Sequence, residues 1–396
     1  MLYRRILSGV LVLLLGGLAL SALTAQAVHA QLSCDNPFGG LENQPRNLNF
    51  WDKTDFCQTS IDYSEVLSGG PPPNGIPPLG FPGLPDPTFE SIVDAQSWLV
   101  DESPVIAVEI NDEARAYPLA ILIWHEIVND TLGDVPVAVT FCPLCNSSLV
   151  FDRHVGDSVL AFGTTGNLRN SDLIMWDDQT QSWWQQFTGE GIVGAYTGTQ
   201  LELIPSQVVG FSQFAAQYPD GQVLTRDTTF GRDYGINPYP DYDTRSRPYS
   251  FFTSEIDDRL PALERVLAGV IGGQPVAYPF SVLAQTFVID DTVGEQDIVA
   301  FWQPGVKSAL GDTVMDNAQD IGTAALFSRA LDGQTLTFTA DENGVIHDAE
   351  TGSTWNAFGT AVAGELSGSQ LRQLSAAPHF WFAWSAFHPD TSVYAE

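Results

Sequence analysis

Two long segments of this chain carry similar residues in the same order, which predicts an internal repeat. The matched pairs are 114–118 with 275–279, 137–145 with 297–305, 177–184 with 348–355, and 218–220 with 388–390. Repeated units pack against each other because one copy cannot bury its hydrophobic face alone. We therefore expect a β-rich α+β fold in which two tandem pseudo-repeat units, 101–229 and 259–396, pack together.

The regions outside the repeat have their own character. Residues 1–30 have the basic start, apolar run and small-residue end of a secretory signal peptide. Residues 31–100 are rich in Pro and Gly, and their scattered aromatic residues favour an irregular amino-terminal wrap that is packed on the protein. Residues 230–258 are an insertion rich in Pro and aromatic side chains, which we expect to lie over or between the units.

The chain is strongly acidic, with 16 Lys and Arg against 48 Asp and Glu. The signal holds two of the basic residues and none of the acidic ones, so the mature charge is 14 − 48 = −34. This surface repels nucleic acid, which excludes it as a partner. No stretch after the signal is long and apolar enough to span a bilayer. We expect a secreted or extracytoplasmic protein. Its expected partner is an unknown small molecule, or a molecule that donates or accepts a metal ion.

Reactive side chains are brought together by sequence alone at Cys142-Pro-Leu-Cys145. Val137, Val139 and Phe141 alternate with smaller residues, which predicts a strand with one buried face. Pro143 cannot donate to a sheet, so the strand should end at Cys142 and place both sulfurs on one turn. Two thiols on one turn can bind a metal or form a disulfide.

His125 is the candidate third ligand. The segments 105–110 and 114–117 resemble a hairpin, and Pro118 suits the start of a buried helix over 119–129 that carries His125. At shifts of 160 and 161 residues, Cys142, Cys145 and His125 correspond to Trp302, Gly305 and Thr286. The second copy thus lacks all three candidate ligands.

Three functions are compatible with these residues. The first is a soft-metal site of Cys142, Cys145 and His125 for copper or zinc, in a metal carrier or a redox enzyme. The second is a non-catalytic extracellular binding or surface-structural protein whose Cys142–Cys145 pair is a disulfide. The third is a thiol–disulfide oxidoreductase, although such a pair normally starts a helix, and here a strand is predicted to follow. Whether the protein is an enzyme is left open.

Other candidate residues have simpler interpretations. Cys34 and Cys57 are natural disulfide partners in an exported chain. The polar segment 164–172 has the composition of a ligand-binding loop, but Asx and glycine turns have the same composition. His379 and His388 lie among aromatic residues, which predicts that they are buried.

Several motifs in order resemble one exported bacterial and archaeal family, domain of unknown function 3179. The residues that carry the resemblance are 69–77, 115–119, 124–130, 139–148 and 182–184. They span most of the mature chain. The resemblance implies no established activity, so it names a family and leaves the reaction open.

Overall fold

The structure is a computed structural model that describes Phe38 and residues 48–395. The predicted signal 1–30 and Cys34 lie outside the described residues, so the signal and the Cys34–Cys57 disulfide stay predictions. Within the described part of the chain, no helix is long and apolar enough to cross a membrane.

The first half of the described chain builds three main sheets. Its strands are β1 (Val66–Ser68), β2 (Phe89–Ser91), β3 (Pro104–Ile110), β4 (Glu113–Pro118), β5 (Ile127–Leu132), β6 (Val135–Cys142), β7 (Ser147–Asp152), β8 (His154–Val155), β9 (Ser158–Val159), β10 (Phe162–Arg169), β11 (Asp172–Asp177), β12 (Trp183–Gln185), β13 (Gly191–Val193), β14 (Leu203–Ile204), β15 (Gln207–Gly210) and β16 (Gln222–Leu224). Its α-helices are α1 (Ile92–Ala95), α2 (Leu119–His125) and α3 (Phe211–Gln217). The sheet orders are β15-β3-β4-β16-β2, β14-β7-β6-β5 and β1-β10-β11-β12-β13.

The second half follows a similar plan. Its strands are β17 (Arg265–Ile271), β18 (Gln274–Pro279), β19 (Val288–Val293), β20 (Gln296–Gln303), β21 (Thr323–Ser328), β22 (Ala330–Leu331), β23 (Gln334–Thr335), β24 (Phe338–Ala340), β25 (Ile346–Asp348), β26 (Thr354–Trp355), β27 (Ala361–Ala363), β28 (Ala376–Phe380) and β29 (Ser392–Val393). Its α-helices are α4 (Phe280–Thr286) and α5 (Trp381–Phe387). The main sheet orders are β28-β17-β18-β29, β19-β20-β21 and β24-β25-β26-β27. The prediction of a β-rich fold with few helices is confirmed.

The series β3, β4, α2, β5, β6 has the same element lengths as the series β17, β18, α4, β19, β20. Each series is joined by a parallel strand, β16 on β4 and β29 on β18. Cys142 is the last residue of β6, and the last residue of the corresponding strand β20 is Gln303. The structure therefore matches Cys142 with Gln303, one residue beyond the expected partner Trp302.

The predicted hairpin is present, because β3 pairs with β4 across Asn111 and Asp112, both of positive φ. The predicted helix over 119–129 is too long. It ends at His125, because Glu126 adopts a left-handed conformation with φ of 59° and Ile127 starts a strand. That strand, β5, pairs with β6 along its whole length. The apolar segment predicted as one helix is therefore divided between a helix and a strand.

The largest hydrophobic core is shared by both halves. It contains residues of β5, β6 and β7 together with Val266, Ala268 and the aromatic start of α5. The amide of Phe380 donates to the carbonyl of Cys145 at 2.9 Å, which joins β28 to the cysteine turn. Consequently the cysteine turn lies where the two halves meet.

The amino-terminal irregular segment packs on the first half, and the 230–258 segment contacts both halves, for example Leu310 through the amide of Tyr242. β1 pairs with β10, and Trp51 makes edge contacts with Trp176 and Trp183. In the 230–258 segment, the Tyr242 hydroxyl donates to the carbonyl of Leu144 at 2.9 Å. This hydrogen bond places the segment directly on the cysteine turn.

Candidate metal centre

The cysteine turn forms as the sequence predicts. β6 ends at Cys142, and the turn closes with hydrogen bonds from Cys145 N to Cys142 O and from Asn146 N to Pro143 O, each 3.3 Å. Asn146 has a positive φ of 50°, which leads the chain back into β7. Both thiols are free, and both are buried, at 2% exposure for Cys142 and 0% for Cys145.

A carboxylate reaches the same place from another sheet. Asp172 is the first residue of β11 and follows a tight hairpin turn at Asn170 and Ser171, which both have positive φ. The carbonyl of Ser171 accepts a long hydrogen bond from the Cys142 thiol at 3.7 Å. The hairpin turn therefore sets Asp172 beside the two cysteines.

Cys142, Cys145 and Asp172 form a compact group. One ligand atom from each lies within 4.8 Å of the others, and all three residues are buried. Asp172 Oδ2 accepts hydrogen bonds from Gln185 Nε2 at 2.7 Å and Phe187 N at 2.9 Å. Asp172 Oδ1 is buried and makes no hydrogen bond within the described residues, although the two thiols interact with this carboxyl group and help to lower its pKa. One oxygen is thus fixed by the protein, and the other is available to a ligand.

Burial favours the protonated, uncharged forms of Cys142, Cys145 and Asp172. It raises the pKa of Asp172 to about 7, although the hydrogen bonds from Gln185 and Phe187 oppose the rise. Burial also raises the pKa of both thiols, for Cys145 well above its usual value. Three negative charges in one buried space are costly without a positive charge among them. A bound metal ion supplies that charge and displaces the protons.

A second buried carboxyl group lies in the same electrostatic environment. Glu126 is 7% exposed, and burial and the charge of Asp172 raise its pKa to about 8. It occupies the left-handed position after α2, where the corresponding residue after α4 is Phe287 with φ of 61°. The backbone conformation is thus common to both halves, whereas the carboxyl group belongs to the first.

His125 is not part of the Cys142, Cys145 and Asp172 group. Its Nδ1 is 2.7 Å from the carbonyl of Pro77, and its Nε2 is 2.6 Å from the Tyr234 hydroxyl. Because a carbonyl only accepts, Nδ1 carries the proton and Nε2 accepts from Tyr234. Both ring nitrogens are therefore engaged by these neighbours, and within the described chain it is Asp172, and not His125, that lies beside the two sulfurs.

Polar atoms without partners are concentrated around the group. Besides Asp172 Oδ1, the buried atoms Ser147 Oγ, Ser171 Oγ, Gln185 Oε1 and Gln186 Oε1 make no hydrogen bond within the described chain. Buried polar atoms normally have protein or water partners, so these atoms are available to water, a ligand or an ion at this place.

Sequence reasoning did not find Asp172 as a ligand. The residue closes the polar segment 164–172, whose composition also fits an ordinary turn, and the structure shows a hairpin there. The available signal was the Asn-Ser pair before Asp172, which favours a tight turn between two strands. Only the fold shows that this hairpin and the cysteine turn converge.

Comparison with known proteins gives a family and no activity. No curated protein matches the chain, and no solved structure matches it. A family model described as "Protein of unknown function (DUF3179)" matches residues 75–391, which include Glu126, Cys142, Cys145 and Asp172. The resemblance inferred from the motifs is confirmed: the chain belongs to the DUF3179 family of proteins of unknown function.

Proposed function

We propose that this protein binds one metal ion through Cys142, Cys145 and Asp172 and acts as an exported metal carrier or metalloenzyme. The observation that carries the proposal is that one ligand atom each of Cys142, Cys145 and Asp172 lies within 4.8 Å of the others, while Asp172 Oδ1 makes no hydrogen bond within the described chain. Thiolate sulfur with carboxylate oxygen is a ligand set that suits zinc. Copper(I) prefers softer sets, so zinc is the better match and copper the second.

The geometry favours an ion with an open coordination position. Zinc sites that only support structure are usually closed by four protein ligands, whereas catalytic sites have three and leave room for substrate. Here three ligands converge, and Glu126 adds a buried carboxyl group with a pKa of about 8. A carboxyl group that titrates near neutral pH can take up or release a proton during a reaction. This supports an enzyme as the second candidate function.

Thiol–disulfide exchange receives less support. The attacking species in exchange is a thiolate, yet burial raises the pKa of both cysteines. The turn leads into β7 and not into a helix whose amino-terminal dipole would favour the thiolate. A structural disulfide remains the alternative that a free-thiol count decides.

We also propose that the two halves are copies of one unit and that only the first copy became a binding site. In both halves a buried Tyr donates to an Asp, Tyr117 to Asp130 at 2.7 Å and Tyr278 to Asp291 at 2.8 Å. A Trp indole likewise donates to Asp177 in the first half and to Asp348 in the second, each at 2.9 Å. These shared bonds support duplication, whereas Cys142 and Glu126 correspond to Gln303 and Phe287.

The first test is metal analysis of full-length protein purified from a host that exports it, combined with a free-thiol count. We expect about one zinc or copper ion per chain. We expect Cys142→Ser and Asp172→Asn to lower the bound metal at least tenfold while circular dichroism is unchanged.

Asp177→Asn is the matched control, because Asp177 is buried on the same strand but its carboxylate is already bonded to Thr180 and Trp184. We expect it to retain the metal. His125→Gln distinguishes the two ligand sets: metal retention supports Asp172 as the third ligand, and loss would restore His125. A Cys142–Cys145 disulfide in metal-free native protein would contradict the proposal.

A further inference from the structure

A cavity of about 380 Å³ lies where the two halves meet, apart from the candidate metal ligands. Aromatic and aliphatic side chains line most of it, among them Phe151, Phe187, Ala268 and Trp384. None of its lining residues is Asp, Glu, Lys or Arg, which is unusual in a chain with 48 acidic residues. The volume is within the range of small-molecule sites.

A buried histidine ring contributes to the lining of this cavity. His379 lines the cavity, is only 2% exposed, and its Nδ1 makes no hydrogen bond within the described chain. The ring stacks on Trp384 with centroids 5.3 Å apart and lies 4.6 Å from the ring of Phe187. By contrast, the Gln200 amide at the same cavity already donates to the carbonyl of Thr188.

The imidazole is a neutral group in this setting. Burial, together with the charge of His388, lowers the pKa of His379 to about 3. A neutral imidazole offers one N–H donor and one lone pair. A buried polar group without a partner is destabilising, and a ligand with a matching group removes that cost on binding.

We propose that this cavity binds an uncharged, mainly apolar small molecule with an aromatic ring and a hydroxyl group that hydrogen-bonds to His379. The apolar walls favour a ring by the area removed from water. A hydroxyl both donates and accepts, so it can pair with either form of the neutral imidazole. A charged ligand would lose its hydration and meet no opposite charge among the lining residues.

The proposal does not depend on a bound metal ion. The cavity touches the metal centre through Phe187, whose amide donates to Asp172 Oδ2 while its ring lines the cavity. Binding is therefore measured on both metal-free and metal-loaded protein. If the protein binds no metal, binding of a small molecule in the cavity should be unchanged. If the cavity binds no small molecule, metal binding should be unchanged.

The experiment is a calorimetric titration of the full-length protein with 1-naphthol and, in parallel, with naphthalene, which has the same ring system without the hydroxyl group. We expect wild-type protein to bind naphthol at least tenfold more tightly than naphthalene. His379→Phe keeps a flat ring in the stack and removes both nitrogens. We expect it to abolish the preference for naphthol while naphthalene binds as before.

Two further variants make the outcome decisive. Ala377→Leu adds volume inside the cavity, because Ala377 packs in the same core cluster as Phe187 and Trp384, and we expect it to weaken both probes. His154→Phe replaces an exposed histidine elsewhere and should change neither. Retention of the naphthol preference in His379→Phe would overturn the proposal. So would the absence of binding by wild-type protein, or a concentration-dependent dimer that excludes the probes.

Discussion

The two oxygens of Asp172 have different roles, which is what distinguishes it from the many other acids of the chain. Oδ2 is held by Gln185 and by the amide of Phe187, so the side chain has a fixed orientation. Oδ1 makes no hydrogen bond within the part of the chain that the structure describes, and an oxygen of this carboxylate lies within 4.8 Å of both sulfurs. Composition could not identify this residue among 48 acids, because the distinction depends on hydrogen bonds between distant segments. Cys142 and Cys145 were predictable because one turn holds both.

His125 allows a prediction about acid stability. Burial lowers its pKa from 6.5 to about 4, so the folded protein stays neutral at His125 while the unfolded chain takes up a proton. The free energy of unfolding should therefore decrease as the pH falls from about 6.5 to about 4. The contribution of this residue is on the order of 3 kcal/mol over that window.

The measurement is urea denaturation of wild type and His125→Gln between pH 4 and pH 7. We expect the stability advantage of the wild type over the variant to shrink as the pH falls. His154→Gln is the matched substitution at an exposed histidine. An advantage of the wild type that grows toward acid pH would contradict the assigned proton on Nδ1 and the neutral ring.

At the scale of elements, local residues determined some boundaries and not others. The end of β6 was predictable because Pro143 cannot continue a sheet. The end of α2 was not, because Glu126 adopts a left-handed conformation that usually selects Gly, and nothing in the local sequence marks it. Helix α3 likewise begins only at Phe211, because the preceding residues Gln207–Gly210 pair with β3. Pairing with distant strands decided both cases.

The turn before Asp172 gives a prediction for an element. Asn170 and Ser171 have φ of 52° and 65°, which glycine tolerates and a β-branched side chain does not. We expect Ser171→Val to destabilise the protein by about 1–3 kcal/mol and to weaken metal binding, because the hairpin positions Asp172. Ser171→Gly should stay within about 1 kcal/mol of wild type and keep the metal.

Thermal denaturation and zinc titration of both variants provide the check. The two substitutions remove the same hydroxyl, so a difference between them reports the backbone conformation. Equal metal affinity in both variants would show that the turn does not control the position of Asp172.

At the scale of the whole molecule, the recurring marks in the sequence predicted a β-rich architecture, which the structure has. Tyr117 and Tyr278 could be recognised in the sequence as matching positions, because each precedes a proline at the end of a strand. The contact between the halves was not recognisable. It depends on pairs such as Gln207 with Thr323 and Phe380 with Cys145, whose partners have no common sequence pattern. The position of the site at this junction could therefore not be predicted.

The net charge of −32 gives a prediction for the whole molecule. Repulsion among like charges destabilises the compact state, and salt screens it over a Debye length of about 10 Å at 0.1 M. We expect the free energy of unfolding at pH 7 to increase as NaCl rises from about 0.01 to 0.5 M. Urea denaturation at each salt concentration measures this.

An equal concentration series of sucrose is the control for effects that do not involve charge. A second series at pH 4.5, where more carboxylates are protonated, should show a smaller gain from salt. Stability that falls as salt is added at pH 7 would mean that specific ion pairs outweigh the overall repulsion.

The hydrogen bond from Tyr242 to the carbonyl of Leu144 has a kinetic consequence. Tyr242 stacks on Tyr249 with ring centroids 4.5 Å apart, so this aromatic pair lies directly on the turn that carries both sulfurs. We expect an ion at the proposed site to enter or leave only when these rings move aside. Exchange is then set by the frequency of a local opening and not by diffusion to the surface. If the protein is the metal carrier proposed above, its residence time on an ion, more than equilibrium affinity, would then determine which ion it carries.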